Sequence, residues 1–176
     1  MPTNIQFILL RHAEKGITPF EDPHLTAKGF QQAQNILTLV QQNKLPQPTH
    51  IWSSQKIRTT QTLQPLAHYF SLTEQKTQLL NLQQSQENTA SFRQRIEFFL
   101  TQLTESSSHT QTSHTQPAVH FACTHYDWIE EAMSLIPCDK NLNSFEFSHW
   151  APAQYIGFKY DSTLGLWNFL TQGAHT

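Results

Sequence analysis

Short apolar runs alternate with stretches of helical spacing along this chain. Ile5-Gln6-Phe7-Ile8-Leu9-Leu10 places five apolar side chains in six positions, the pattern of a short strand buried on both faces of a parallel sheet. A polar loop, Arg11 to His24, comes next. Thr26 is then a natural helix cap, because its hydroxyl can accept from the free amides of a first turn. From Phe30 on, Ala33, Ile36, Leu37 and Val40 mark one helix face, with an end predicted near Gln42. His50-Ile51-Trp52-Ser53 reads as a second strand. Ser53 or Ser54 can cap a second helix, in which Ile57, Thr60, Leu63, Leu66, Ala67 and Phe70 keep helical spacing. Pro65 inside that pattern predicts a kink or an early end.

Further along, Gln75 to Leu82 is a weaker strand followed by a Gln-rich loop, and Thr89 to Leu103 returns to helix through Phe92, Ile96, Phe99 and Leu103. Thr104 to Gln116 carries one charged residue and no apolar one, so a flexible polar loop is expected over 104–117. Ala118 to Thr124 is another strand, and Asp127 to Leu135 a helix stopped by Pro137. The aromatic tail from Phe145 to Leu170 is expected to supply two antiparallel core strands. Strands alternating with helices over 176 residues predict one α/β domain spanning 1–176, a three-layer α/β/α sandwich around a mainly parallel sheet.

Composition narrows the function. Only 14% of residues are charged, against a typical ~25%; 21 Gln and 20 Thr fill the gap. With a net charge of -2, no basic field exists to hold a nucleic acid or an anionic membrane. Any anion must be held by a local cluster of cations. Two cysteines without a CxxC spacing suggest neither a disulfide framework nor a zinc site. No apolar run approaches the ~18 residues of a membrane span, and the start of the chain does not read as a signal peptide. A soluble cytoplasmic protein is expected.

Active sites in such sheets lie beyond the carboxyl ends of the strands. There the first strand delivers Arg11 and His12, the second opens onto Ser53-Ser54 and then Arg58, and the strand before Thr124 delivers His125. Two arginines can clamp phosphate oxygens with forked donors. One histidine can attack phosphorus while the other hydrogen-bonds a phosphate oxygen. The positive charge is built in, so neither a metal nor a cofactor is required.

These residues resemble a known family. Leu9-Leu10-Arg11-His12-Ala13-Glu14-Lys15 looks like the Arg-His motif that opens the histidine phosphatase superfamily, the group containing the phosphoglycerate mutases. Its usual third residue is Gly; Ala13 resembles a branch of small bacterial phosphatases. Asp22-Pro23-His24-Leu25-Thr26-Ala27-Lys28-Gly29 with Gln32-Ala33 is similar to the family's Leu-Thr-x-x-Gly … Gln-Ala helix start. Ile51-Trp52-Ser53-Ser54 with Arg58-Thr59-Thr60-Gln61-Thr62 resembles its second element, and Cys123-Thr124-His125 its last. The resemblance implies a phosphoglycerate mutase-like fold and His12 as the nucleophile that forms a phosphohistidine. It implies Arg11, Arg58 and His125 as the other members of the phosphate pocket. Thr124 and Lys15, beside them in the chain, are further candidates for substrate contact.

Many members carry a Glu after the third strand to protonate the leaving oxygen. Here that stretch reads Leu80-Asn81-Leu82-Gln83-Gln84, without an acid. Glu87 on the following loop, Asp127 two residues after His125, and Glu14 are the candidates. The short chain resembles the bacterial phosphohistidine phosphatases, which lack that acid too; a phosphohistidine needs less protonation help on leaving. The expected activity is hydrolysis of a phosphomonoester or a phosphohistidine, on a phosphorylated small molecule or a phosphohistidine protein. Mutase activity fits less well without the long insertions. The alternative is a phosphate-ligand-binding protein that kept the scaffold and lost turnover with the acid.

Among the ten histidines, His109 and His114 fall in the Ser/Thr-rich link with no fixed geometry expected, and His24, His50, His68 and His149 lack partners at metal-ligand spacing. Cys123 beside His125 suggests a thiol nucleophile, although a buried Cys is the commoner outcome.

Overall fold

A computed structural model describes residues 4–105 and 117–174. The first strand, β1 (Ile5–Arg11), leads through the polar loop to α1 (Ala27–Gln41), then β2 (His50–Ser53) and α2 (Ile57–Tyr69). Next come β3 (Glu74–Lys76), a 3-10 turn at Gln78–Leu80, and α3 (Thr89–Glu105). The chain ends with β4 (Ala118–Thr124), α4 (Tyr126–Leu135), a 3-10 turn at Phe145–Phe147, β5 (Tyr155–Asp161) and β6 (Leu166–Gly173).

The six strands form one sheet in the order β3-β2-β4-β1-β5-β6. The first four run parallel, while β5 lies antiparallel to β1 and β6 antiparallel to β5. Alternation along β1 divides the core. Ile8 and Leu10 point to the face covered by α1 and α2, where Ile36, Val40, Leu63 and Leu66 pack. Ile5, Phe7 and Leu9 point to the other face, under α3 and α4, against Phe99, Trp128 and Ile129. The expected three-layer architecture is present, and each large apolar side chain buried contributes about 1.5–3 kcal/mol. The tail aromatics Trp150, Tyr155, Phe158 and Trp167 are buried in this core.

Several boundaries differ from the sequence reading. The α2 helix runs through Pro65 to Tyr69, held on both sides of the proline by buried Leu63 and Leu66. The β3 strand has only three residues, because the Thr77 hydroxyl accepts from Leu79 N and turns the chain into the 3-10 turn. Phe30, expected on the buried face of α1, is exposed. Of the loop expected over 104–117, Thr104 and Glu105 still belong to α3, and 106–116 lie outside the described residues. No helix among the described residues is long and apolar enough to cross a membrane.

Candidate active site

Adjacent parallel strands β1 and β4 are followed by helices on opposite faces of the sheet, α1 after one and α4 after the other. Such a switch point leaves a crevice at the carboxyl ends of the strands. Arg11 and Thr124 are register partners at those ends, so His12 and His125 leave the sheet side by side. Their ring centroids are 5.5 Å apart, and both rings are buried, 5% and 3% exposed.

His12 Nδ1 lies 2.8 Å from the carbonyl oxygen of Ala13. A carbonyl only accepts, so Nδ1 carries the proton and Nε2 keeps its lone pair. Burial lowers the His12 pKa to about 4, the bond to Ala13 opposes that shift, and Arg58, Arg11 and Lys15 add to it. At neutral pH the ring is a neutral imidazole with a bare Nε2, the form a nucleophile needs.

His125 is held differently. Arg58 Nη2 donates to its Nδ1 at 3.1 Å; an arginine cannot accept, so Nδ1 is unprotonated and Nε2 carries the hydrogen. That Nε2 donates to Ser54 Oγ at 2.8 Å. Ser54 in turn meets Thr59 Oγ1 at 2.9 Å, and Thr59 donates to Lys56 O. Burial, then the charge of Arg58, lowers the His125 pKa to about 2. Both ring nitrogens are committed to protein partners, which departs from the direct phosphate hydrogen bond expected of this histidine.

Each pocket arginine is pinned through its terminal nitrogens. Arg11 Nη1 donates to Trp150 O, and its guanidinium lies over the Tyr126 ring, 5.4 Å from the centroid. Arg58 Nη1 lies 3.5 Å from Asp22 Oδ1. The Nε of Arg11 and the Nε of Arg58 are both buried without a partner among the described residues. A buried donor left unpaired costs about 1–3 kcal/mol, so each guanidinium keeps one unused donor at this end of the sheet.

The loop between β1 and α1 is built to hold His12. Ala13 N donates to Thr62 Oγ1 at 2.9 Å, and that hydroxyl donates to Arg58 O at 2.7 Å, joining the two halves of the site. Glu14 N donates to Gln32 Oε1. Thr26 caps α1 by accepting from Gly29 N at 3.0 Å. A Cβ at Gly29 would stand 2.0 Å from Glu14 O, so the close approach of α1 to this loop demands glycine.

Comparison with known proteins fits this geometry. A family model described as the histidine phosphatase superfamily (branch 1) matches residues 7–81, the stretch that supplies His12, Arg11 and Arg58. Residues 7–81 are thus similar to the histidine phosphatase superfamily, and the strands and helices beyond them share its fold. Among solved structures, it is similar to the protein histidine phosphatase SixA complexed with tungstate, at 14% identity over 97% of each chain, TM-score 0.71. A phosphoglycerate mutase from Bacillus anthracis is similar at 13% identity over 97% of this chain and 93% of that one, TM-score 0.74. A mutant phosphoserine phosphatase from Entamoeba histolytica in complex with phosphoserine matches at 14% identity over 97% of each chain, TM-score 0.68. At such identities the likeness is one of fold. No curated protein matches in sequence.

The carboxylates weighed as proton donors all have other partners. Glu87 receives Arg95 Nε and Nη2, each at 2.7 Å, and also Gln84 N. The hydrogen bond from Arg95 holds its carboxyl below the usual range. Asp127 accepts Gln83 N at 2.7 Å and Trp128 N at 2.9 Å. Glu14 accepts from Thr26 Oγ1 and pairs with Lys28 at 3.6 Å. Thr124 directs its hydroxyl to Leu80 O at 2.6 Å, so it fastens the turn after β3 rather than offering a donor to substrate. Lys15 is exposed and in a bridge with Leu25, close enough to depress the His12 pKa. Cys123 is buried, and burial pushes its thiol well above the ordinary range, which denies it the thiolate a nucleophile needs.

Arg95 does not stand out in the sequence. Besides Glu87 it donates to the carbonyls of Gln78, Leu79, Asn81 and Leu82, and so stitches the loop after β3 into place. Ser54 belongs to a family-like motif but has no role there beyond capping, and Asp22 belongs to another with none. No spacing rule marks either, because their partners are 71 and 35 residues away.

Proposed function

We propose that this chain is a phosphatase that hydrolyses a labile phosphoryl compound, a phosphohistidine above all, through a covalent phosphohistidine on His12. The observation that carries the reading is a neutral His12 with an unprotonated Nε2, in a pocket with two guanidinium Nε–H groups that have no protein partner among the described residues. In the first step the Nε2 lone pair forms a bond to phosphorus as the bond to the leaving group breaks. Arg11 and Arg58 neutralise the phosphoryl oxygens, where positioned donors are worth about 10²–10³ in rate each. Water then attacks phosphorus, the P–N bond breaks, and its electron pair returns to His12 Nε2 while the water proton is released.

An alkoxide leaving group needs a proton, and a positioned carboxylic acid supplies typically ~10²–10⁴-fold. Glu87, Asp127 and Glu14 are engaged with an arginine, amides and a lysine, an arrangement that favours leaving groups needing no such help. A phosphohistidine and an aryl phosphate are of that kind. The similarity to a protein histidine phosphatase supports the first as the natural class.

A panel of a phosphohistidine protein, nitrophenyl phosphate and an alkyl phosphate, with and without chelator, tests the reading. Turnover of the first two, poor turnover of the third and indifference to chelator are expected. Preference for the alkyl phosphate, or loss of activity on chelation, would overturn it.

A further inference from the structure

We propose that Asp22 is a positioning residue that holds Arg58 in the orientation its phosphoryl contact requires; this rests on the phosphatase reading above. Asp22 belongs to the loop after β1, yet its carboxylate reaches α2, 35 residues further on. Ile57 N, in the first turn of α2, donates to Oδ1 at 3.2 Å and Oδ2 at 3.1 Å. Lys56, at the cap position of α2, supplies no side-chain cap of its own, and Asp22 takes that place. Lys56 Nζ donates to Glu21 O at 3.2 Å, so two adjacent residues of one loop are docked on the start of α2.

The same carboxylate lies 3.5 Å from Arg58 Nη1, while Arg58 Nη2 is taken by His125. With Nη1 and Nη2 anchored at opposite corners, the guanidinium plane cannot turn, and Nε, buried and unpartnered among the described residues, is left for a ligand. A long arginine side chain otherwise has to be ordered at each encounter. Fixing it beforehand lets the binding energy act on the reaction rather than on ordering. Glu14, Glu87 and Asp127 pair elsewhere, whereas Asp22 is in contact with a pocket arginine.

The test compares wild type, Asp22→Asn, Asp22→Ala, Arg58→Lys and the Asp22→Ala/Arg58→Lys double variant. Asn caps a helix about as well as Asp, so Asp22→Asn keeps α2 intact if Asp22→Ala does not. The readouts are the Arg58 Nε–H NMR resonance, the dissociation constant for inorganic phosphate, kcat/KM on nitrophenyl phosphate, and Tm. Asp22→Ala should broaden the Arg58 resonance and lower phosphate affinity and kcat/KM by about 10–100-fold, the range for losing a group that orients a directly acting one. Asp22→Asn should recover part of this, and Asp22→Ala should add little once Arg58 is Lys, because the two act as one unit. Tighter phosphate binding in Asp22→Ala would mean that Asp22 merely competes with the anion, and would overturn the proposal. A lower Tm with phosphate affinity and the Arg58 resonance unchanged would reduce Asp22 to a helix cap and overturn it equally, as would additive losses in the double variant. A wild type that binds phosphate and holds the Arg58 resonance but turns over no substrate would remove the phosphatase reading and leave this one standing.

Discussion

His12 and His125 stand at the ends of neighbouring strands, both almost wholly buried, and in both burial is the first cause of a lowered pKa. What divides them is the neighbour each nitrogen meets. A carbonyl takes the Nδ1 proton of His12 and leaves Nε2 without a hydrogen bond among the described residues. A cation and a hydroxyl take both nitrogens of His125. One histidine is left able to form a bond to phosphorus; the other fixes an arginine. Comparable burial therefore does not imply equal hydrogen bonding: one ring keeps a bare Nε2, and the other has both nitrogens engaged.

The sharpest way to break the His125 half is through Arg58. Arg58→Lys replaces a planar fork, held at both terminal nitrogens, by a point charge. It should cost about 2–4 kcal/mol of transition-state stabilisation, read as kcat/KM on nitrophenyl phosphate. Tm should also fall, because Arg58 is 7% exposed and its partners His125 and Asp22 would lose their donors. Wild-type turnover in this variant would make Arg58 a bystander and undo the comparison.

A smaller effect is expected at Ser54. Ser54→Ala leaves His125 Nε2–H without its acceptor and removes the bond that fixes the tautomer, so the Nδ1–H form would present a donor to Arg58 instead of an acceptor. Activity should fall about tenfold, with stability lower by roughly 1–3 kcal/mol for the buried unpaired group. If instead activity rises and a phosphate oxygen takes over Nε2–H, His125 is a direct ligand and the two histidines are more alike than the structure makes them.

Smaller still are the changes at the loop after β3. Asp127→Asn and Glu87→Gln should each lower activity modestly, and by the same factor on alkyl and nitrophenyl phosphates, because both residues tie backbone rather than protonate. A loss of ~10²-fold or more confined to the alkyl phosphate would assign the mutated residue as the general acid.

The placement of Arg11, His12, Thr124 and His125 at strand ends was legible in the sequence because it depends on local order. An apolar run ending in Arg11-His12, and another ending in Thr124-His125, put those residues at a sheet edge whatever the details. The sandwich was legible for the same reason, since 3.6-residue and 2-residue periodicities are local signals. Employment of side chains was not. Asp127 looked like an acid because of its distance from His125, but Gln83 N, 44 residues earlier, claims its oxygen. Glu87 looked available until Arg95, eight residues on, closed on it. Asp22 and Ser54 depend on contacts across the sheet end that no periodicity encodes. Gly29 is intermediate: a motif marks it, yet its cause is the backbone oxygen of Glu14, on the far side of the polar loop.

Histidines buried in the neutral form make pH a test of the fold's stability. His12, with a pKa of about 4, and His120, buried beside His50 with a pKa of about 3, are neutral in the folded state, whereas an unfolded His titrates near ~6.5. Between those values the unfolded chain binds more protons, so stability rises with pH across the window. It is fully present above about pH 6.5 and drains away as pH falls toward about 4. Tm should therefore drop steadily between those limits, and His120→Gln should flatten part of the slope. A Tm unchanged across the window would mean that these rings are charged or solvated in the fold.

The central claim is that His12 alone carries the phosphoryl group. Rapid quench of the enzyme during turnover of labelled nitrophenyl phosphate or a labelled phosphohistidine protein, at alkaline pH where a phosphohistidine survives, tests it most directly. Label should appear on the peptide containing His12, disappear on brief acid treatment, and be absent in His12→Ala together with turnover. Label on any other residue, or full turnover by His12→Ala, would contradict the account.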